Sequence, residues 1–319
     1  MNNQTVLVTG GTGFVGIHTI LQLLQQGYTV KTTLRSLSKK DSIVNALKDG
    51  GLTDLQNLSF FEADLTADAG WNEAVKGCNY VLHIASPFPL VEPEDENELI
   101  IPARDGSLRV LKAAQKAGVK RVVLTSSFAA IGYGIKPKGH IFTEEDWTDE
   151  NGPLQPYIKS KTVAEKAAWD FLKNHGGDLE LTVVNPVGIF GPIIGDIVPA
   201  SFDGVIKALI GGTVTESPAF TFGVVDVRDV ADIHIKAMLH PEANGQRFLA
   251  TSEGVMSFYD IAQLIKKERP EKAGKIAGLK PTAKEFYIEM SNKKAREILS
   301  WHPKSKEEAV LASVDSRVK

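Results

Sequence analysis

The stretch Val6-Leu7-Val8-Thr9-Gly10-Gly11-Thr12-Gly13-Phe14-Val15-Gly16 constrains this chain more than any other. An apolar run of strand type ends in a glycine cluster, and Ile17, Ile20, Leu21 and Leu24 then repeat at helical spacing. Strand, glycine turn and helix, in that order, are the context in which a glycine pattern reads as a nucleotide site. Gly10 permits a tight turn with positive φ. Gly13 has no Cβ, so backbone can approach a pyrophosphate, and Gly16 lets the helix lie close on its strand. Backbone N–H groups at the helix start then face the phosphates, aided by the helix dipole. The Gly10-x-x-Gly13-x-x-Gly16 spacing has one residue more between the first two glycines than the commonest dinucleotide fingerprint.

The first half of the chain continues in the same way. Strand-like runs at Val6–Thr9, Thr29–Leu34, Leu58–Glu62, Tyr80–Ile84, Val122–Ser126 and Leu181–Val184 alternate with helical patterns. Leu108, Leu111, Ala114 and Ala117 repeat at helical spacing and stop at Gly118, a C-terminal cap signal. Alternation of this kind predicts an α/β fold: a doubly wound parallel sheet with right-handed crossovers and a ligand crevice at the carboxyl ends of its strands. After about Asn185, Gly and Pro interleave with short apolar segments, which predicts a lid or pocket wall. A strand returns at Arg247–Ala250, and helical patterns follow at Phe258–Lys267 and Asn292–Leu299. The expected division is a dinucleotide-binding domain over 1–185 plus 226–251 and a smaller, discontinuous C-terminal substrate lobe over 186–225 plus 252–319.

Composition narrows the partners. The formal net charge of -3 gives no basic excess for nucleic acid or an anionic membrane. No run of about 18 apolar residues is present, so a membrane span is not expected. The single cysteine, Cys78, allows no intrachain disulfide and fits a reducing compartment. With the first strand starting a few residues after Met1, a signal peptide is not expected, and the reading is cytoplasmic.

The candidate chemical residues all fall at strand ends or on the helix beside one. The second strand ends Thr33-Leu34-Arg35, with no acid to accept from a ribose 2′-OH. Arg35 can fork onto a 2′-phosphate and Lys39 can add a second charge, so NADP(H) is expected over NAD(H). Asp64-Leu65 follows the third strand. Its carboxylate suits an adenine amino group with Leu65 packed on the ring, or equally a helix N-cap. In His83-Ile84-Ala85-Ser86-Pro87-Phe88, small Ala85 lets a cofactor cross the strand end, Phe88 can enter the substrate pocket, and His83 reads as packed rather than catalytic. Ser126 and Ser127 end the fifth strand, where a hydroxyl can donate to a developing oxyanion; spacing alone leaves open which of them does so. Tyr157 and Lys161 stand i,i+4 at the start of an Ala-rich helix and therefore point the same way. A phenol has a reference pKa of about 10, and a neighbouring ammonium is expected to lower it toward use as a general acid or base.

In this order the motifs resemble the extended short-chain dehydrogenase/reductase superfamily, a Rossmann fold. The stretches His83–Phe88, Arg121–Ala130, Tyr157–Trp169, Asn185–Pro192 and Asp226–Met238 are similar to its dihydroflavonol reductase, cinnamoyl-CoA reductase and yeast methylglyoxal reductase branch. Asn292–Leu299 with Trp301 and Pro303 resembles the superfamily's C-terminal helix. The resemblance implies that Thr12, Gly13, Phe14 and Val15 wrap the pyrophosphate, that Arg35 and Lys39 hold the 2′-phosphate, and that Asp64 and Leu65 contact adenine. It implies further that Ser127 orients the substrate, Tyr157 donates the proton, and Lys161 binds the nicotinamide ribose and tunes Tyr157. Pro186, Val187, Gly188 and Ile189 would line the nicotinamide face, with Ser201 on the phosphate side. Phe88, Phe128 and Gly188 would build the substrate pocket. The implied activity is NADPH-dependent reduction of a small carbonyl compound, with no metal. Two alternatives share the fold: an NAD-dependent sugar-nucleotide epimerase or dehydratase, and a non-catalytic dinucleotide sensor. Arg35 argues against the first, and the Tyr157/Lys161 pair against the second. Plant relatives carry a polar residue after the serine pair for flavonoid hydroxyls, whereas Phe128-Ala129-Ala130-Ile131 here is apolar. Oligomeric state is not legible.

Overall fold

The computed structural model describes residues 4–87, 94–134 and 138–316. The strands are β1 (Thr5–Thr9), β2 (Thr29–Leu34), β3 (Leu58–Glu62), β4 (Tyr80–His83), β5 (Arg121–Thr125), β6 (Ile141–Phe142), β7 (Glu180–Pro186), β8 (Gly188–Phe190), β9 (Phe222–Asp226), β10 (Arg247–Ala250), β11 (Val255–Met256) and β12 (Glu289–Met290). The helices are α1 (Phe14–Gln25), α2 (Lys40–Asp49), α3 (Trp71–Val75), α4 (Asn97–Lys116), α5 (Pro156–His175), α6 (Ala208–Gly211), α7 (Val227–Leu239), α8 (Phe258–Glu268), α9 (Lys293–Leu299) and α10 (Lys306–Val314).

Seven strands form one sheet in the order β10-β7-β5-β4-β1-β2-β3, and every pairing in it is parallel. This is the doubly wound parallel sheet that the strand–helix alternation predicts. The order reverses between β1 and β4, so the crevice outside their carboxyl ends is the expected ligand position. Thr9 on β1 stands level with His83 on β4, which places the glycine turn and Ala85 side by side there.

Alternate residues of each central strand enter different cores, as a sheet covered on both faces requires. Val6, Val8, Leu82, Val123, Val184 and Phe248 meet α1 and α7 through Ile17, Ile20, Val230 and Ile233. Leu7, Val81, Val122, Leu124 and Val183 meet α3, α4 and α5 through Trp71, Val110, Leu111, Ala168 and Phe171. A fully buried side chain of this size contributes roughly 1.5–3 kcal/mol. A third core, with Phe190, Ile206, Leu209, Val224, Met256, Ile261, Ile265 and Val310, gathers the later elements around a small sheet of order β11-β9-β8. Capping boxes at Ser257/Asp260 and Ser305/Glu308 start α8 and α10. Ala295, Leu299 and Trp301 pack into the first core instead of the third, with the Trp301 indole donating to the Asp229 carbonyl at 3.0 Å. The β6/β12 pair ties Ile141–Phe142 to Glu289–Met290, a long-range contact with no signal in local periodicity.

Candidate active site

The glycine turn is built as its spacing requires. Gly10 has φ +74°, and a Cβ there would stand 2.9 Å from the Ala85 Cα. A Cβ on Gly16 would lie 2.2 Å from the Gly10 carbonyl oxygen, so only glycine lets α1 start this close to the turn. The Gly13 N–H closes the turn onto Gly10 O at 2.9 Å. Gly13 is also the N-cap of α1; no side chain caps this end, and no acid sits in its first turn. Thr12 and Gly13 are exposed, whereas Phe14 and Val15 bury their side chains in the first core, so only their backbone can face a ligand. Uncapped N–H groups at an open helix start suit a phosphate.

Thr9 braces this turn. Its hydroxyl accepts from the N–H groups of Ile84 and Ala85, each at 3.0 Å, so its proton goes to His83 Nδ1 at 2.8 Å. That network assigns His83 the Nε2–H tautomer. His83 is buried, and burial lowers its pKa to about 3, so it is a neutral packed side chain.

At the end of β2, Arg35 and Lys39 are exposed, with Lys39 in a short 3-10 turn opened by the Ser36 hydroxyl. Asp64 Oδ1 accepts from the Thr66 N–H at 2.8 Å and the Thr66 hydroxyl at 2.7 Å, and these bonds hold its carboxyl below the usual range. Asp64 therefore holds a turn at Thr66 and caps no helix, since α3 starts from Gly70. Leu65 packs against Gly106 of α4, where a Cβ would meet it at 2.8 Å.

Tyr157 and Lys161 share a face of α5, with Nζ 5.7 Å from the phenol ring centre. Lys161 is buried and its Nζ donates to Ser86 Oγ at 2.7 Å. Burial lowers Lys161 to about 8, with Glu165 acting in the opposite sense. The Tyr157 phenol hydrogen-bonds the Ser127 side chain, yet burial raises its pKa above the ordinary 10. The expected net lowering by Lys161 is thus corrected: desolvation outweighs the hydrogen bond from Ser127, the one influence that lowers the phenol. A phenol held protonated is the form that can donate.

The two serines separate cleanly. Ser126 turns inward, its hydroxyl donating to Glu165 Oε2 at 2.5 Å, while Ser127 faces Tyr157 and accepts from the Ala129 N–H at 3.1 Å. Pro186, Val187 and Ile189 follow at the end of β7 and in β8, level with β10 and β9. A Cβ on Gly188 would stand 3.0 Å from the Gly223 carbonyl and 3.2 Å from the Phe222 ring, so a glycine here lets β8 lie close on β9. The Ser201 hydroxyl is spent on the Ile189 carbonyl at 2.5 Å. Phe128 lies edge-on to Phe142 at 5.4 Å and Tyr133 at 6.1 Å. Phe88 lies outside the described residues. Sequence reasoning missed Ser86, although its strand-end stretch was in view, and it missed Glu165, Asn185 and Arg247, whose bonds to one another span 20 and 82 residues and leave no local pattern.

Residues 6–250 match the model of the NAD dependent epimerase/dehydratase family. The chain belongs to that family. Within the extended short-chain dehydrogenase/reductases so defined, it is similar to cinnamoyl-CoA reductase CAD2 of Medicago truncatula, at 34% identity over 273 residues, covering 84% of this chain and 81% of that protein. Among solved structures, Gre2 of Candida albicans in complex with NADPH superposes with a TM-score of 0.86 at 31% identity over 98% of both chains. Yeast methylglyoxal/isovaleraldehyde reductase Gre2, complexed with NADPH, gives 0.84 at 28% identity, again over 98% of both.

Proposed function

We propose that this extended short-chain dehydrogenase/reductase is an NADPH-dependent reductase of aldehydes and ketones in which Tyr157 is the proton donor. The observation that carries the reading is the convergence of Tyr157 and Ser127 at the crevice, with Lys161 anchored beneath on Ser86. The reductases it resembles, two of them solved with NADPH, support the cofactor and the reaction class.

The residues present fit NADPH. Residues Gly10–Gly16 would receive the pyrophosphate on uncapped N–H groups. The exposed Arg35 and Lys39 would take the 2′-phosphate, with Asp64 and Leu65 beside adenine and Pro186–Ile189 against the nicotinamide. Ser201 would reach the phosphate side only by giving up its bond to Ile189. Bound NADPH supplies the hydride. The chain's own part is to hold the carbonyl oxygen between the Ser127 hydroxyl and the Tyr157 phenol and to pass it the phenolic proton, with Lys161 stabilising the negative charge left on the phenol. We assign cofactor binding to residues 1–185 plus 226–251 and the substrate wall to 186–225 plus 252–319. Partly exposed, apolar Phe128 favours a small or apolar carbonyl over a polyhydroxylated one, while Ala129, Ala130 and Ile131 are buried beneath it. We also place the enzyme in the cytoplasm, on its one buried cysteine; among the described residues no helix is long and apolar enough to cross a membrane.

The test is NADPH oxidation with methylglyoxal, isovaleraldehyde and diketones. Tyr157→Phe is expected to lower kcat by about 10²- to 10⁴-fold, the usual worth of general acid catalysis. Full activity in that variant, or copurified NAD with turnover of a UDP-sugar, overturns the reading.

A further inference from the structure

Glu165 lies on α5 one turn beyond Lys161 and is 1% exposed. Its Oε1 accepts from Arg247 Nε at 2.6 Å and from the Trp169 indole at 3.3 Å. Its Oε2 accepts from Ser126 Oγ at 2.5 Å and from Asn185 Nδ2 at 2.7 Å. The same Asn185 nitrogen reaches the Ser127 carbonyl oxygen at 3.2 Å. Arg247 is held in turn by the carbonyls of Glu144 and Asp146, at 2.6 and 2.8 Å, and its guanidinium stacks 3.8 Å from the Trp147 ring centre. One carboxylate therefore joins the ends of β5 and β7, the start of β10 and the helix that carries Tyr157 and Lys161.

We propose that Glu165 is a positioning residue, a buried clamp that fixes the Ser126–Ser127 strand end against α5 so that the Ser127 hydroxyl and the Tyr157 phenol meet one carbonyl oxygen. This rests on the proton-donor reading of Tyr157. Stability alone does not account for the arrangement, because a buried ion pair often gives no advantage over well-packed apolar residues. What the pair adds is direction: its Oε2 partners are the serine beside Ser127 and the asparagine that holds Ser127's own carbonyl. The carboxylate also acts on Lys161, which among the described residues also faces Tyr157 on α5 and acts on His83 on β4. Without the negative charge, Lys161 loses its proton at lower pH.

Glu165→Gln keeps the shape and removes the charge. The expected result is a kcat lower by about 10- to 100-fold, the scale of an ångström of misplacement. The KM for NADPH stays within about twofold, and the alkaline limb of the kcat–pH profile moves to lower pH. A merely structural glutamate would lower Tm without moving that limb. A folded Glu165→Gln with wild-type kcat and an unmoved limb overturns the inference. Should that variant not fold, Ser126→Ala breaks the same clamp with the loss of one oxygen, and wild-type kcat there overturns it equally. Tyr157→Phe, run in parallel, separates the two readings. An active Tyr157→Phe faults the proton-donor assignment, whereas an inactive one beside a normal Glu165→Gln faults only the clamp.

Discussion

One methyl group, added in turn to Gly16 and Gly13, separates two roles within a single turn. At Gly16 the new carbon would lie 2.2 Å from the Gly10 carbonyl oxygen and 2.9 Å from its carbon, both backbone atoms, where ordinary contact begins at 3.4 Å. The helix start and the turn must therefore part by about 1.2 Å along that contact. Overpacking of this kind costs roughly 1–3 kcal/mol, a fall in Tm of several degrees for a chain of this length. It would also move the N–H groups of Phe14, Val15 and Gly16 off the proposed phosphate position. A hydrogen bond to a charged group is worth about 1.5–3 kcal/mol, so one lost bond weakens NADPH binding by about 10- to 100-fold. At Gly13 the nearest atom is 3.3 Å away and the backbone is extended at φ -93°, so the methyl fits the fold with a shift of a few tenths of an ångström. Gly13 is exposed, however, and the methyl occupies the surface offered to the pyrophosphate. Gly13→Ala should thus keep its Tm and lose NADPH affinity, while Gly16→Ala should lose both. Thermal unfolding without ligand and fluorescence titration with NADPH measure the two quantities. A Gly13→Ala protein with wild-type Kd refutes the phosphate cradle, and a Gly16→Ala protein with wild-type Tm refutes the packing argument.

Two further perturbations test other parts of the site and the fold. Arg35→Ala should raise the KM for NADPH by about 10- to 100-fold, through loss of charge-assisted bonds to the 2′-phosphate, and leave that for NADH nearly unchanged; equal effects on both cofactors would remove Arg35 from phosphate recognition. His18, His83 and His234 are buried and neutral, with pKa values lowered by burial to about 4, 3 and 4. Their folded values lie below the unfolded 6.5, so the unfolded chain takes up more protons as pH falls. Stability is then full above about pH 6.5 and is lost toward pH 4, by an amount on the order of 10 kcal/mol for the three together. Circular dichroism against pH should show cooperative acid unfolding within that window, and a chain still folded at pH 3 would contradict it.

The sequence was most legible where chemistry and local geometry coincide. The glycine turn, the Thr29–Leu34 and Leu58–Glu62 strands and the Tyr157/Lys161 face all follow from spacing, because turn, strand and helix each impose a short period on the chain. Strand ends could be placed for the same reason, and with them Arg35, Asp64 and the Ser126–Ser127 pair. Which of the two serines faces Tyr157 was not legible from spacing: it depends on Glu165, 39 residues on from Ser126, drawing one hydroxyl inward. For Gly188 the sequence could not show the close approach of β9, since a strand-end glycine reads alike whether it admits a ligand or a neighbouring strand. Tyr157 misled in sign. An i,i+4 pair brings an ammonium near, but not how much water the two groups lose together, and burial moved the phenol up and the amine down.

The opposed shifts bear on how such a pair can work. A phenol below its ordinary value would be present more as phenolate at neutral pH and would lose the proton that the proposed reduction needs; one held above it would keep that proton until a carbonyl oxygen begins to carry charge. Lys161, at about 8, is still mainly cationic at neutral pH and would stabilise the phenolate that the proposed proton transfer leaves. Reduction should therefore weaken as pH rises through about 8, with loss of the ammonium, while the phenol is still protonated. The kcat–pH profile distinguishes the two titrations: Lys161→Met should abolish the limb near 8, and a limb that persists there in Lys161→Met belongs to another group.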